Sequence, residues 1–459
     1  MSIQSRAGLS GDLSPQQRVR AMCGVYAVLF LLGLETTIGG SILPLASTEL
    51  HGLERFPLVG TLQMLASACT TLIAARLGDM YGRKYLLQLS IALLALAGLG
   101  CGLAQSMDQL LAMRVLNGVA IGMMAATAFA VPADVFPDPA QRARWQSLSG
   151  VMFALASSMG PLLGAMLSDA FGWRSALFVV PVAAVLVLAI LCFIPANRPL
   201  HRQEQRFDFV GAGLLCVFIV SSLQALQIRP HVPMAMLFCA GWLLVCGGAM
   251  VGLWRHQFRV AQPILALDIL RSKGVRHVSA STLLSGAVLF ILFFYSPILL
   301  HTVSKLSLVQ AGVAMIPMLV GLPVGSVLNG LLFHRQRRPQ RLMAAGALFL
   351  FMGCVLLLAL GPDSSRLHIF VGFGLSGLGL GIINQNQVLF MQMVAPMAHI
   401  GAATGLLSTA RTYGGAMGSA LLGLVLGLSG IDQALVAGLW LALLAALLLI
   451  PLSLRLQLS

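Results

Sequence analysis

The sequence predicts an all-α polytopic membrane protein: fourteen transmembrane helices in two six-helix bundles related by an internal repeat, a two-helix insert between them, and both termini cytoplasmic. Three observations predict it. Of the 459 residues, 58% are apolar and only 9% are charged, against roughly 25% charged in soluble domains. The apolar residues fall into fourteen runs long enough to span a bilayer. Lys and Arg are shared very unevenly between the loops on alternate sides, the asymmetry that orients membrane proteins.

A helix needs about 20 mostly apolar residues to cross the hydrocarbon core. Runs of that kind lie near 21–45, 57–77, 85–105, 109–132, 145–168, 174–195, 209–227, 233–254, 275–300, 307–332, 341–360, 366–393, 400–427 and 432–453. The seventh and eighth are separated only by Ile228 to Val232. The longest polar segments are the tail up to Arg20, Asn197 to Asp208, and Arg255 to Arg276, and none makes a soluble domain. The chain thus divides into a tail (1–20), a first bundle (21–195), a linker with the two inserted helices (196–254), a second linker (255–274) and a second bundle (275–459). The first apolar run follows a long polar tail and exceeds a signal-peptide core, which predicts a retained span.

Twenty-one Lys and Arg lie on the side of the two termini, five on the other, and two, Arg114 and Arg411, inside spans. This accounts for most of the formal net charge of +14. The excess is a topology signal, and it excludes nucleic acid as the expected partner because the basic residues sit in short loops. The eight Cys all fall inside apolar runs and none forms a C-x-x-C pair, so neither disulfides nor a metal is expected. No G-x-x-x-x-G-K-[ST] occurs, which argues against ATP as the energy source.

The loop after the second span, Ala75 to Lys84, is echoed after the tenth by Gly330 to Arg338, with Leu77 matching Leu332 and Arg83 matching Arg338 at an offset of 255. Gly160-Pro161-x-x-Gly164 in the fifth span is echoed by Gly414-Gly415-x-x-Gly418 in the thirteenth at 254. Nearly equal offsets pair spans 1–6 with spans 9–14 and leave the seventh and eighth as an insert. Repeated halves are a common plan of transporters.

These segments resemble the major facilitator superfamily, and within it the fourteen-span drug:proton antiporter branch. Leu77-Gly-Asp79-Met-Tyr-Gly82-Arg83-Lys84 is similar to that family's loop motif between spans 2 and 3, with Ala75 and Met80 departing from it. Arg114-Val-Leu-Asn117-Gly118 resembles the span-4 motif, with Asn in place of Gln. Gly160, Pro161 and Gly164 resemble the span-5 motif associated with exporters, and Leu34-Glu35-Thr36-Thr37 the acidic first-span motif. The long external loop of some relatives is absent, and Gln63 stands where an aromatic is often found. The resemblance implies a secondary transporter exporting small molecules, drugs or amphipathic metabolites, in exchange for protons. It implies no cofactor beyond the proton gradient, a multi-pass place in the plasma (cytoplasmic) membrane, and a monomer acting alone or with accessory efflux components. An uptake symporter of the same fold, or a non-transporting receptor or enzyme, are the alternatives. A cluster of catalytic acids, His or Cys at one membrane face would favour the last, and none is evident.

Residue chemistry names the candidates. Glu35 is the one carboxylate well inside a span, and such residues are expensive in lipid and functional by default. At about 1.5 Å per residue, Glu35 lies roughly 21 Å in from Ala21, and Arg114 roughly 8 Å in from the opposite side of a core about 30 Å thick. Their depths match, and in the fold that the resemblance implies spans 1 and 4 both face the central cavity, so a Glu35–Arg114 interaction, direct or through water, is open to them, with Glu35 carrying the proton or a substrate contact or the two serving as a structural ion pair. The resemblance implies that Asp79, Arg83 and Lys84 form a gate between helix ends, and a solvated charged turn is their alternative reading. Arg411, Asn384, Gln387, Gln63 and Tyr295 are candidates for lining a substrate cavity. Asn384 and Gln387 share a helix face at i and i+3, and hydrogen bonding between helices is their alternative role.

Overall fold

The computed structural model describes residues 14–52, 55–136, 138–192, 207–226, 235–260, 272–306, 308–333, 338–361, 364–395, 400–429 and 431–455. Helices dominate and no strand occurs among these residues. That is the expected outcome in lipid, where backbone N–H and C=O groups must be satisfied within the segment.

In chain order the helices are α1 (Pro15–Glu49), α2 (Phe56–Tyr81), α3 (Arg83–Gly102), α4 (Met107–Ala128), α5 (Val131–Val135), α6 (Pro139–Phe171), α7 (Trp173–Cys192), α8 (Phe209–Leu226), α9 (Ala235–Gln257), α10 (Lys273–Thr302), α11 (Leu308–Ala314), α12 (Ile316–Phe333), α13 (Pro339–Leu358), α14 (Arg366–Val394), α15 (Ile400–Ser429) and α16 (Ile431–Leu454). Local chemistry sets several starts. Ser14 and Gln17 form a reciprocal capping box ahead of Pro15, and Ser106 and Ser365 cap α4 and α14 through their hydroxyls.

Twelve of the described helices are long and apolar enough to cross a membrane. The helices at the expected seventh and thirteenth spans, α8 and α15, are not among the twelve. Two expected spans are also interrupted. The fourth, read as 109–132, ends at Ala128 and resumes as α5, where Pro132 sits in the first turn. The tenth, read as 307–332, breaks at Met315 between α11 and α12, with Pro317 in the first turn of α12. Proline lacks the N–H of a continuing helix and its ring clashes with the preceding turn, so both breaks follow from sequence.

Two compact units emerge, Met1–Phe207 with Met397–Ser408, and Asp208–Pro396 with Thr409–Ser459. In the first, α1 packs on α6, α7 and α4, and α2 on α4, while α3 packs on α4 and α7. The second repeats this scheme: α12 and α13 pack on α14, α16 packs on α13 and α10, and α10 packs on α14. The remaining correspondence, α1 with α6 and α10 with α15, is carried by glycine. A Cβ built on Gly160 would collide with α1 at Leu34, Thr37 and Ile38, and one built on Gly414 would collide with the α10 backbone at Leu283. The glycines matched at an offset of 254 therefore do the same packing work in each unit. The inserted helices α8 and α9 pack mainly on one another.

Candidate functional site

The deepest polar cluster of the first unit joins three helices. Glu35 on α1 and Arg114 and Asn117 on α4 are 4%, 1% and 1% exposed. Asn117 Nδ2 donates to Glu35 Oε1 at 2.7 Å, and Gln63 Nε2, on α2, donates to Asn117 Oδ1 at 2.9 Å. Arg114 Nη1 donates to Gln63 Oε1 at 3.2 Å and lies 3.5 Å from Glu35 Oε1. The four side chains close a ring in which carboxylate, two amides and guanidinium each touch their neighbours. Gly118 makes the ring possible. A Cβ there would strike the Gln63 carbonyl, so its absence lets α4 approach α2 at the level of Asn117. The pairing of Glu35 with Arg114 agrees with the expectation from their depths.

The ring is not saturated. Arg114 Nε and Nη2 are buried without an acceptor among the described residues. A carboxylate held by one amide and a neighbouring guanidinium can exchange partners or take a proton without dismantling the helix packing around it.

A second charged constellation ties α2, α3 and α5. Gly82, at φ 96°, ends α2 in a backbone conformation favoured by glycine. The turn aims Arg83 back at the bundle. Arg83 Nη2 donates to Asp79 Oδ1 at 2.8 Å, and Nη1 donates to the Ala130 carbonyl at 2.8 Å and to the Asp134 carboxylate. The Arg83 side chain is 6% exposed, so this is a buried arginine clamped between two carboxylates rather than a solvated turn. Lys84 is half-buried. Sequence reasoning places Asp79 and Arg83 together. Asp134 is the second carboxylate of the clamp.

Between the end of α1 and the start of α7, Trp173 Nε1 donates to Glu49 Oε2 at 2.7 Å, Arg174 pairs with Glu49 Oε1, and the Arg174 guanidinium stacks over Trp173 at 4.3 Å. The hydrogen bonds from Arg174 and Trp173 hold the Glu49 carboxyl below its ordinary value.

In the second unit the expected cavity residues separate. Gln387 is buried and donates from Nε2 to Ser281 and Ser285 on α10 at 3.3 and 3.1 Å. Its neighbours are also bound: Ser326 donates to Gln385 at 3.4 Å, and Asn386 donates to Asn329 at 2.8 Å. Asn384 is half-buried, and its Oδ1 has no hydrogen-bond partner among the described residues. Tyr295 donates to the Ser419 carbonyl at 3.4 Å and borders a small crevice with Ile291, Leu292, Leu422 and Leu439. Arg411 lies on α15 with Nε and Nη2 buried and unpartnered among the described residues. Gly160 and Gly164 are buried and Pro161 is half-buried within α6.

Asn117 escaped sequence reasoning as a functional residue, although a signal existed. It follows Arg114 by three positions, which puts both on one helix face. Gln63 is expected from sequence to line a substrate cavity, and the structure gives its amide two partners in the ring.

Two repeating helical units of membrane-length spans, the first holding a buried acid–base pair, are the plan of a multi-pass membrane transporter. The comparisons agree. The Major Facilitator Superfamily model matches residues 25–419, and the chain belongs to that superfamily. It is a transporter and not an enzyme. Relatives include Multidrug resistance protein 3 of Bacillus subtilis, 26% identical over 78% of this chain and 70% of the relative. The multidrug transporter protein MdtP of the same organism is 25% identical over 91% and 77%, and multidrug resistance protein Stp of Mycobacterium tuberculosis 26% identical over 87% and 74%. The crystal structure of the human organic anion transporter MFSD10 superposes with a TM-score of 0.68 at 18% identity, covering 95% of this chain and all of that one, which shows the shared fold.

Proposed function

We propose that the protein is a fourteen-span drug:proton antiporter that exports small molecules by alternating access, with Glu35 carrying the proton. The observation that carries this reading is the ring itself: the one carboxylate deep in a described span lies 3.5 Å from the one arginine of α4, and Asn117 holds it there. Protonation of Glu35 removes its charge and weakens its hold on Arg114, and deprotonation restores both. Export is supported by Gly160, Pro161 and Gly164, which resemble the exporter motif, and by relatives named for multidrug resistance. The Asp79–Arg83–Asp134 clamp, with Lys84 beside it, acts as the latch of one conformation, made and broken as the helix ends move. Gln63, Tyr295, Asn384, Gln387 and Arg411 contribute to substrate binding.

In this reading α8 and α15 are the seventh and thirteenth spans. Both termini are cytoplasmic, and the chain divides into bundles at 21–195 and 275–459 around the inserted pair. The membrane is the plasma membrane, the proton gradient is the energy source with no cofactor, and the working unit is a monomer, alone or with accessory efflux components. A susceptibility panel in an efflux-deficient host tests it. Wild type raises the inhibitory concentration of some amphipathic compounds at least fourfold, and Glu35→Gln at equal expression does not. Equal protection by the variant would remove Glu35 from the mechanism.

A further inference from the structure

Arg411, on α15, is a guanidinium for which the described residues of the second unit supply no counter-ion. Its sequence contains four carboxylates, Asp208, Asp268, Asp363 and Asp432. Asp208 is taken by His256, whose Nε2 lies 2.7 Å from it. Asp268 and Asp363 lie in sequence between helices, outside the described residues. Asp432 is the second residue of α16, and Arg411 lies 18 residues before the end of α15, about 27 Å along that helix.

Geometry sharpens the point. Arg411, Gly414, Gly415 and Gly418 recur at helical spacing, and the backbone at Arg411 packs on Gly286, Gly414 on Leu283 and Gly418 on Ala287 of α10. The arginine is thus fixed at a tight helix crossing. Its unpartnered donors are Nε and Nη2, the two N–H groups that lie side by side on one edge of a guanidinium. That edge accepts both oxygens of a carboxylate or similar group at once. The residue as a whole is half-buried, while Nε and Nη2 themselves are buried. Uncompensated charge is costly inside a membrane and marks ligand pathways.

We propose that Arg411 is an oxyanion site, and that the protein takes substrates bearing a carboxylate, sulfonate or phosphonate group, held side-on by Nε and Nη2. The inference rests on the transporter reading for how the ligand arrives. Depth distinguishes its source. With α15 read as the thirteenth span, Arg411, 11 residues past Ile400 and about 16 Å along the helix, falls inside a core about 30 Å thick, whereas lipid headgroups sit outside that core.

The test is equilibrium binding of tritiated 1-naphthoate, 1-naphthalenesulfonate and 1-naphthylmethylammonium to the full-length protein in phosphatidylcholine nanodiscs. Wild type should bind at least one anion saturably and at least tenfold more tightly than the ammonium compound. Arg411→Gln should lose at least tenfold for the anion and leave the ammonium compound unchanged. Arg411→Lys, which keeps the charge without the fork, should fall between. Should Arg411→Gln misfold, the wild-type preference and Arg411→Lys still decide. No saturable anion binding, ammonium preference, or anion binding indifferent to Arg411 would overturn the proposal. So would phosphatidylglycerol that displaces the anion and is retained in native mass spectra only when Arg411 is present, because the occupant would then be a headgroup. Since binding is read without a gradient, Arg411-dependent anion binding without pH-driven flux counts against the transport reading alone.

Discussion

Replacing Arg83 with Leu tests whether the clamp at the α2–α3 turn holds the first unit together. Arg83 donates to two carboxylates and the Ala130 carbonyl, and its side chain is 6% exposed. Removing one partner of a buried ion pair costs about 3–5 kcal/mol. Asp79 and Asp134 are 22% and 12% exposed, so water solvates them in part after the change, and about 3 kcal/mol is the expected loss. Arg83→Lys keeps the charge but not the fork that bridges Asp79 and Asp134, and should lose about half as much. Two buried thiols report the units separately: Cys101 on α3 and Cys354 on α13. Thermal unfolding followed by thiol labelling should show Cys101 reacting at a lower temperature in Arg83→Leu, with Cys354 lagging behind it. Unchanged Cys101 labelling in Arg83→Leu would refute the clamp as a stabilising element. Asp134→Leu combined with Arg83→Leu should cost less than the sum of the two, because no lone carboxylate remains at that position.

Three further outcomes follow from the same structure. Asn117→Leu removes the donor to Glu35 and the acceptor of Gln63, and unmet buried partners cost about 1–3 kcal/mol each, so its melting point should fall clearly below that of Val115→Leu, an exposed control on the same helix. Gly160→Val places side-chain atoms inside the α1 backbone and Thr37, and should abolish folded protein on size exclusion, whereas Gly213→Val, in open space on α8, should not. Glu49→Gln weakens the Trp173–Arg174 contact. The folded carboxyl is held below 4.5, so its stabilisation is complete above that value and disappears as pH falls through the lowered one. The difference in melting point from wild type should therefore be constant between pH 6 and 8 and vanish in acid.

Much of the fold is legible in the sequence because the bilayer imposes simple rules. Run length sets the helices, and the nearly equal offsets of Leu77/Leu332 and Gly160/Gly414 expose the repeat. The glycine offset reappears as the same packing of α6 on α1 and of α15 on α10. Helix interruptions were available too, since Pro132 and Pro317 stand just inside the restarted helices, but a hydropathy count smooths over them. The Glu35–Arg114 pair was legible because two charges in lipid have few partners to choose from. The amides were not. Gln63 and Asn117 stand singly in apolar runs while Gln385, Asn386 and Gln387 are consecutive, and which helix each one faces depends on crossings that helical spacing alone does not set. Gln387 pairs with α10, Gln385 and Asn386 with α12, although the three are consecutive.

Substrate-induced proton movement in sealed proteoliposomes, followed with a trapped pH dye, tests the central claim most directly. On adding an amphipathic compound that wild type exports, wild type should move protons across the membrane. Glu35→Gln should move none, while still exchanging labelled for unlabelled compound in the absence of a gradient. Proton movement in Glu35→Gln equal to that of wild type would contradict the account.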